Sequence, residues 1–147
     1  MPSVDFSYFP QPESNHSNSV SKSLDAIRNA HDDASAHEAY DEFLWAMGNN
    51  HAGTYYPVVL AVLPHVEQIL TDGGLWAQRA AMESLIDLGG TFAPEEGHQT
   101  YLGASVQETL REFIRSLRPR FALLVGAPDA RAKSASELID LIDDQAN

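Results

Sequence analysis

Apolar positions recur along this chain at helical spacing, and almost nowhere with the strict alternation of a half-buried strand. Val20, Leu24, Ile27 and His31 share one face of a predicted helix over residues 21–30. Ser35-Ala-His-Glu38 reads as a capping box, which starts a second helix running to about Met47. Its apolar face is Ala36, Ala39, Tyr40, Phe43, Leu44 and Met47, and its opposite face carries Glu38, Asp41, Glu42 and Trp45. Gly48-Asn49-Asn50 ends it with residues that tolerate a left-handed backbone.

The stretch from Trp45 to Leu88 organises the rest. Pro57 occupies the first turn of a third helix, where a missing N–H is harmless. Residues 58–63 are apolar on every side, so this helix is expected to be sandwiched between neighbours, and Pro64 is expected to kink it. Asp72-Gly73-Gly74 turns the chain into a fourth helix over residues 76–88, which Gly89-Gly90 stops. Residues 91–104 read as a loop long enough to be a functional candidate. A fifth helix spans residues 105 to about 124, kinked or split at Pro119, and Ser134 or Ser136 caps a last one through Ile142. Residues 55–63 are the one ambiguous strand candidate, and their flanking prolines weigh against it. The pattern therefore predicts an all-α fold of about six helices in stacked antiparallel hairpins, occupying residues 20–147. Residues 1–19, rich in proline and serine, form an extended arm expected to pack against its own domain.

Composition narrows the class of partner. The 147 residues suffice for one core, and 44% of them are hydrophobic. Absence of cysteine excludes disulfides and thiolate metal sites, and suits a reducing compartment. The first residues have neither the basic nor the apolar segment of a signal peptide, and no apolar run can span a bilayer, so a cytoplasmic protein is expected. The net charge is -12. Residues 1–110 hold three basic against fifteen acidic residues, whereas residues 111–133 hold six basic and two acidic. A field of that sign repels nucleic acid and anionic membrane and steers basic partners inward.

No constellation carries recognisable catalysis. His31, Asp32, Asp33, His37 and Glu38 are metal-ligating types, but their spacing splits them between a turn and a helix, and no metal or cofactor is assigned. His51-Ala-Gly-Thr-Tyr-Tyr-Pro57 and Glu95-Glu96-Gly-His98 carry acid–base groups without a visible second partner. They support an alternative reading, a small helical enzyme or ligand-binding domain with a pocket near His51, Tyr55 and His98. Arg111, Arg115 and Arg118 share a stripe, with Arg120 beyond, but Glu108 and Glu112 lie at pairing distance along the helix.

The run from Asp41 to Leu88, with HAGTYYPVVLAVLPHVEQIL followed by Arg79 in the next helix, resembles small bacterial HEAT-like repeat proteins, of the kind resembling the immunity members of toxin–immunity pairs. The resemblance covers about a third of the chain. It implies a non-enzymatic inhibitor that occludes the active site of a basic partner, a cognate toxin domain, with its acidic surface. Asp41, Glu42 and Trp45 are the leading contact residues; His51, Tyr55 and Tyr56 follow, then Glu95 and Glu96. Aromatic anchors ringed by acids give affinity from burial and on-rate from steering. A homodimer that exchanges the arm between copies is a further alternative.

Overall fold

The computed structural model describes residues 5–146, and its fold is predominantly helical. In chain order it comprises α1 (Ser19–Arg28), α2 (Asp33–Met47), β1 (Gly48–Asn49), β2 (Thr54–Tyr55), α3 (Val58–Asp72) and α4 (Leu75–Gly89). There follow β3 (Ala93–Pro94), β4 (Thr100–Tyr101), β5 (Ala104–Ser105), α5 (Val106–Ser116), α6 (Arg118–Leu124) and α7 (Arg131–Gln145).

α4 is the central element, packed against α1, α2, α3, α5 and α7. None of its residues is freely exposed, and Ala77, Ala80, Ala81, Met82, Leu85 and Leu88 are buried. Its alanines let the surrounding helices approach closely. At its C-terminal end a Cβ on Gly89 would lie 2.4 Å from Ile114 Cδ1, so the α4–α5 approach requires glycine. α3 is more apolar in sequence but more peripheral: Pro64, Glu67, Gln68 and Thr71 face solvent while Val58, Val59, Val62, Leu63, Val66, Ile69 and Leu70 are buried. Each such buried aliphatic side chain contributes roughly 1.5–3 kcal/mol. One helix contacting five others departs from the nearest-neighbour contacts of a one-dimensional helical stack.

α4 also carries a polar stripe, Arg79, Glu83 and Asp87, whose members are each held by another helix. Arg79 pairs with Asp33 of α2, Glu83 Oε1 accepts from Ser134 Oγ of α7 (2.7 Å), and Asp87 Oδ2 accepts from Tyr40 of α2. Buried Gln78 ties the turn below: its Nε2 donates to Leu70 O (3.2 Å) and Gly73 O (3.1 Å), and its Oε1 accepts from Arg131 Nη1 (3.0 Å).

Several local expectations change. The cap of α2 is Asp32, whose Oδ1 accepts from Ser35 N (2.8 Å), while Ser35 Oγ accepts from Asp32 N (3.1 Å); Ser35 is thus the reciprocating third residue, not the cap. Pro119 splits the fifth segment into α5 and α6. Ser134 lies inside α7, which begins three residues earlier, because its hydroxyl is used on Glu83. The expected loops contain five two-residue strands: β1 antiparallel to β2, β2 parallel to β3, and β4 antiparallel to β5. Gly48 is extended, not left-handed; a Cβ there would stand 2.1 Å from Thr54 O across the β1–β2 pair.

The arm lies along its own domain over the described residues 5–18. Phe6 is buried with its ring 5.7 Å from that of His65, Val58 N donates to Pro10 O (3.0 Å), and Asn15 Nδ2 donates to Ala46 O (2.9 Å). Beneath Phe6, Arg28 Nη2 donates to His65 Nδ1 (3.1 Å). Burial and the neighbouring guanidinium hold the imidazole pKa below its usual value, which favours the neutral ring as acceptor.

Candidate interaction surface

α2 presents its polar side outward because its other side is filled by Ala36, Ala39, Phe43, Leu44 and Met47, all buried. On the outer side Asp41 and Trp45 are exposed and Glu42 is half-buried. Trp45 is 49% exposed, unusual for the largest apolar side chain, and Asp41 and Glu42 precede it by one turn. Trp45 and Glu42 form one wall of an open groove of about 440 Å³. The arm supplies the other wall through Ser14, His16 and Asn18, with Lys22 of α1 at its end. A groove between an indole, a carboxylate and short hydrogen-bonding side chains suits a basic side chain with an apolar stem.

The second group of expected contact residues is gathered by the small β elements. His51 is exposed on the tight turn between β1 and β2, where Asn49 Oδ1 accepts from Ala52 N (3.0 Å) and Asn49 O from Gly53 N (2.9 Å). Tyr56 is half-buried, its ring 4.9 Å from that of His98. Glu95 N donates to Tyr55 O (2.7 Å), which fixes the 95–98 turn beside Tyr56, and Glu96 is exposed. Burial first, then the carboxylates of Glu95 and Glu13, raise the Tyr56 pKa, so two acids flank this ring.

Tyr55 corrects the expected contact set. It is wholly buried, because the alternation along β2 turns it inward while Tyr56 turns out. No partner can reach its ring in this conformation. Of the residues expected around a pocket, Tyr55 is buried, His98 lies against the ring of Tyr56 and His51 is exposed on the β1–β2 turn.

Other charged clusters are occupied by structural pairing. The groove between α2, α4 and α7, about 390 Å³, has the Arg79–Asp33 pair among its lining residues, together with Ala36, Ala80, Lys133 and Glu137. Among the described residues no three His, Asp or Glu side chains converge to hold a metal ion. Arg111 approaches Glu108 (3.9 Å), Arg118 makes a two-pronged contact with Asp143 of α7 (3.0 and 2.9 Å), and Arg120 donates to Leu70 O (3.2 Å). The basic stripe is therefore largely bound within the fold. No helix among the described residues is long and apolar enough to cross a membrane.

Besides Trp45, the large apolar residues exposed among the described residues are Tyr8 (79%), Leu102 (90%), Leu123 (81%) and Val125 (42%). Leu102 and Gly103 form the two-residue turn of the β4–β5 hairpin, and of the usual turn signal only Gly103 is present in the sequence. No protein-family model, curated protein or solved structure matches the chain.

Proposed function

We propose that this chain is a protein-binding inhibitor of a basic partner, most concretely a bacterial immunity protein that neutralises a cognate toxin by covering its active site. The observation that carries the reading is Trp45, half exposed on an acidic helix and beside an open groove. An aromatic anchor next to carboxylates is the composition of an interface hot spot for a cationic partner. The consecutive pairs α1–α2 and α3–α4, each packed together and joined through α2–α4 contact, are the part of the fold that fits the HEAT-like resemblance, whereas the five-partner packing of α4 does not. The arm, held on its own domain by Phe6, Pro10 and Asn15, supports a single chain as the binding unit. Action by occlusion, without a catalytic step or cofactor, and a cytoplasmic location go with the reading.

The test is capture from the native lysate on immobilised chain at low and moderate salt, followed by titration of the captured protein. A basic protein weakened by salt is expected, with Trp45→Ala and the Asp41→Lys/Glu42→Lys pair each reducing affinity at least tenfold while the fold persists. Retention of full affinity by both variants would remove this surface from the interface. Capture of nothing by the folded chain would sink the inhibitor reading.

A further inference from the structure

Leu102 breaks two rules at once. It lies in the left-handed region (φ 51°), followed by Gly103 (φ 83°), in the two-residue turn joining β4 to β5. That turn needs positive φ at both positions, and Asn-Gly or Gly-Gly meets the need without strain, whereas leucine does not. Nor does the side chain repay the strain by packing, since it is 90% exposed. Backbone strain with an exposed apolar tip is a combination that the fold's own stability does not account for.

Its surroundings indicate what that is. Tyr101, next to it, holds the ring of Phe9 at 5.4 Å, and Tyr8 beside Phe9 is 79% exposed. The Phe9–Tyr101 contact thus brings the arm and the hairpin together, and both carry an exposed apolar residue next to it. Pro10 continues to Val58 through its carbonyl, next to Tyr56, which contacts His98. Glu13 and Glu95 flank Tyr56, and Glu96 is exposed on the same turn. The segments that build this face, residues 5–21, 48–57 and 90–107, contain no lysine or arginine; the basic groups next to them come from other elements, Lys22 and Arg28 of α1 and Arg111 of α5. A second copy would oppose acid to acid, whereas an apolar patch rimmed by basic side chains would match in both respects.

The geometry points to Leu102, with Tyr8 beside the same arm–hairpin junction, as an apolar anchor for a protein partner whose apolar contact patch is ringed by lysine or arginine. This rests on the protein-binding reading and gives it a second contact point besides Trp45. Leu102 sits on a two-residue turn closed by the β4–β5 pair, so its backbone is already placed before a partner binds.

The probes are a synthetic amphipathic helix of leucine and lysine and an all-lysine peptide of equal charge, titrated against wild type, Leu102→Asn, Leu102→Met and Trp45→Ala. Asparagine relieves the turn and removes the apolar tip, whereas methionine keeps the tip and the strain. We expect wild type to bind the leucine–lysine peptide at least tenfold more tightly than the lysine peptide. Leu102→Asn should lose that margin while melting at a higher temperature, and Leu102→Met should keep it. If Leu102→Asn keeps the margin, or melts lower than wild type, Leu102 is not an interaction anchor, and the Trp45 surface is unaffected by that result. Equal binding of the two peptides overturns the anchor alone. Binding of neither overturns both the anchor and the preference for a basic partner.

Discussion

Replacing Tyr55 by phenylalanine removes one oxygen from a place where the structure gives it nothing to bond. Tyr55 is wholly buried, and its hydroxyl has no hydrogen-bond partner among the described residues. A buried hydroxyl without a partner costs about 1–3 kcal/mol, and phenylalanine fills the same space. Tyr55→Phe should therefore stabilise the fold by about 1 kcal/mol, or raise its melting temperature by about 2–4 °C for a domain of this size. Tyr40 makes the opposite control, because its hydroxyl donates to the Asp87 carboxylate between α2 and α4. Tyr40→Phe should lose about 1.5 kcal/mol, the lower end for a hydrogen bond to a charged group, because the site is half-buried. Urea unfolding at pH 7, followed by tryptophan fluorescence, separates the two signs. Alkaline titration supplies a second check. Burial pushes the Tyr55 pKa up to about 12, with Arg111 opposing it. A folded-state pKa above the unfolded value of about 10 means full stability below pH 10 and loss as pH rises towards the folded value, at about 1.4 kcal/mol per pH unit. Tyr55→Phe should flatten that loss. A variant less stable than wild type by more than about 1 kcal/mol would refute the reasoning and point to an ordered water on the hydroxyl.

Two further substitutions probe local devices. Gly48→Ala would place a Cβ 2.1 Å from Thr54 O and 2.6 Å from Tyr55 Cα, with backbone on both sides, so a loss of at least about 2 kcal/mol is expected in urea unfolding; a near-neutral result would mean that the β1–β2 pair opens freely. Asp32→Ala removes the cap of α2 and should lower the melting temperature at pH 7. Hydrogen bonds from Ser35 hold the Asp32 carboxyl below its usual range, so its contribution is present above the unfolded carboxylate pKa and lost as pH falls below it. The gap between wild type and Asp32→Ala should accordingly narrow in acid, and a gap unchanged from pH 7 to pH 3 would contradict this account.

Much of the helical order was legible because period and punctuation agree. Pro57, Asp72-Gly73-Gly74 and Gly89-Gly90 mark boundaries within a residue or two of those found. The failures came where a side chain's partner is remote in sequence. Ser134 resembles a cap until Glu83, on a helix 51 residues away, takes its hydroxyl. Ser35 resembles a cap because Ser-x-x-Glu fits, but Asp32 is equally placed and its carboxylate is the stronger acceptor. Composition pointed to α3 as the enclosed helix, whereas α4 is enclosed through its alanines, and nothing in a local window shows how many helices will pack on it. At the surface, the outward side of α2 followed from periodicity, which placed Asp41, Glu42 and Trp45 there. Tyr55 and Tyr56 occupied one turn in the sequence reading, and only strand alternation sends them to opposite sides.

The enclosure of α4 also sets when the fold can close. Its partners arrive from both directions along the chain: α2 ends 28 residues before α4 begins, and α7 begins 42 residues after it ends. During synthesis α1 to α4 can collapse first, but the side of α4 that packs against α7 stays wet until α7 emerges. Such late, distant contacts slow folding and make it cooperative. Shortening the chain before Arg131 should therefore not yield a smaller version of the domain. It should yield a collapsed intermediate with a sticky central helix, held back from completion by its own missing lid.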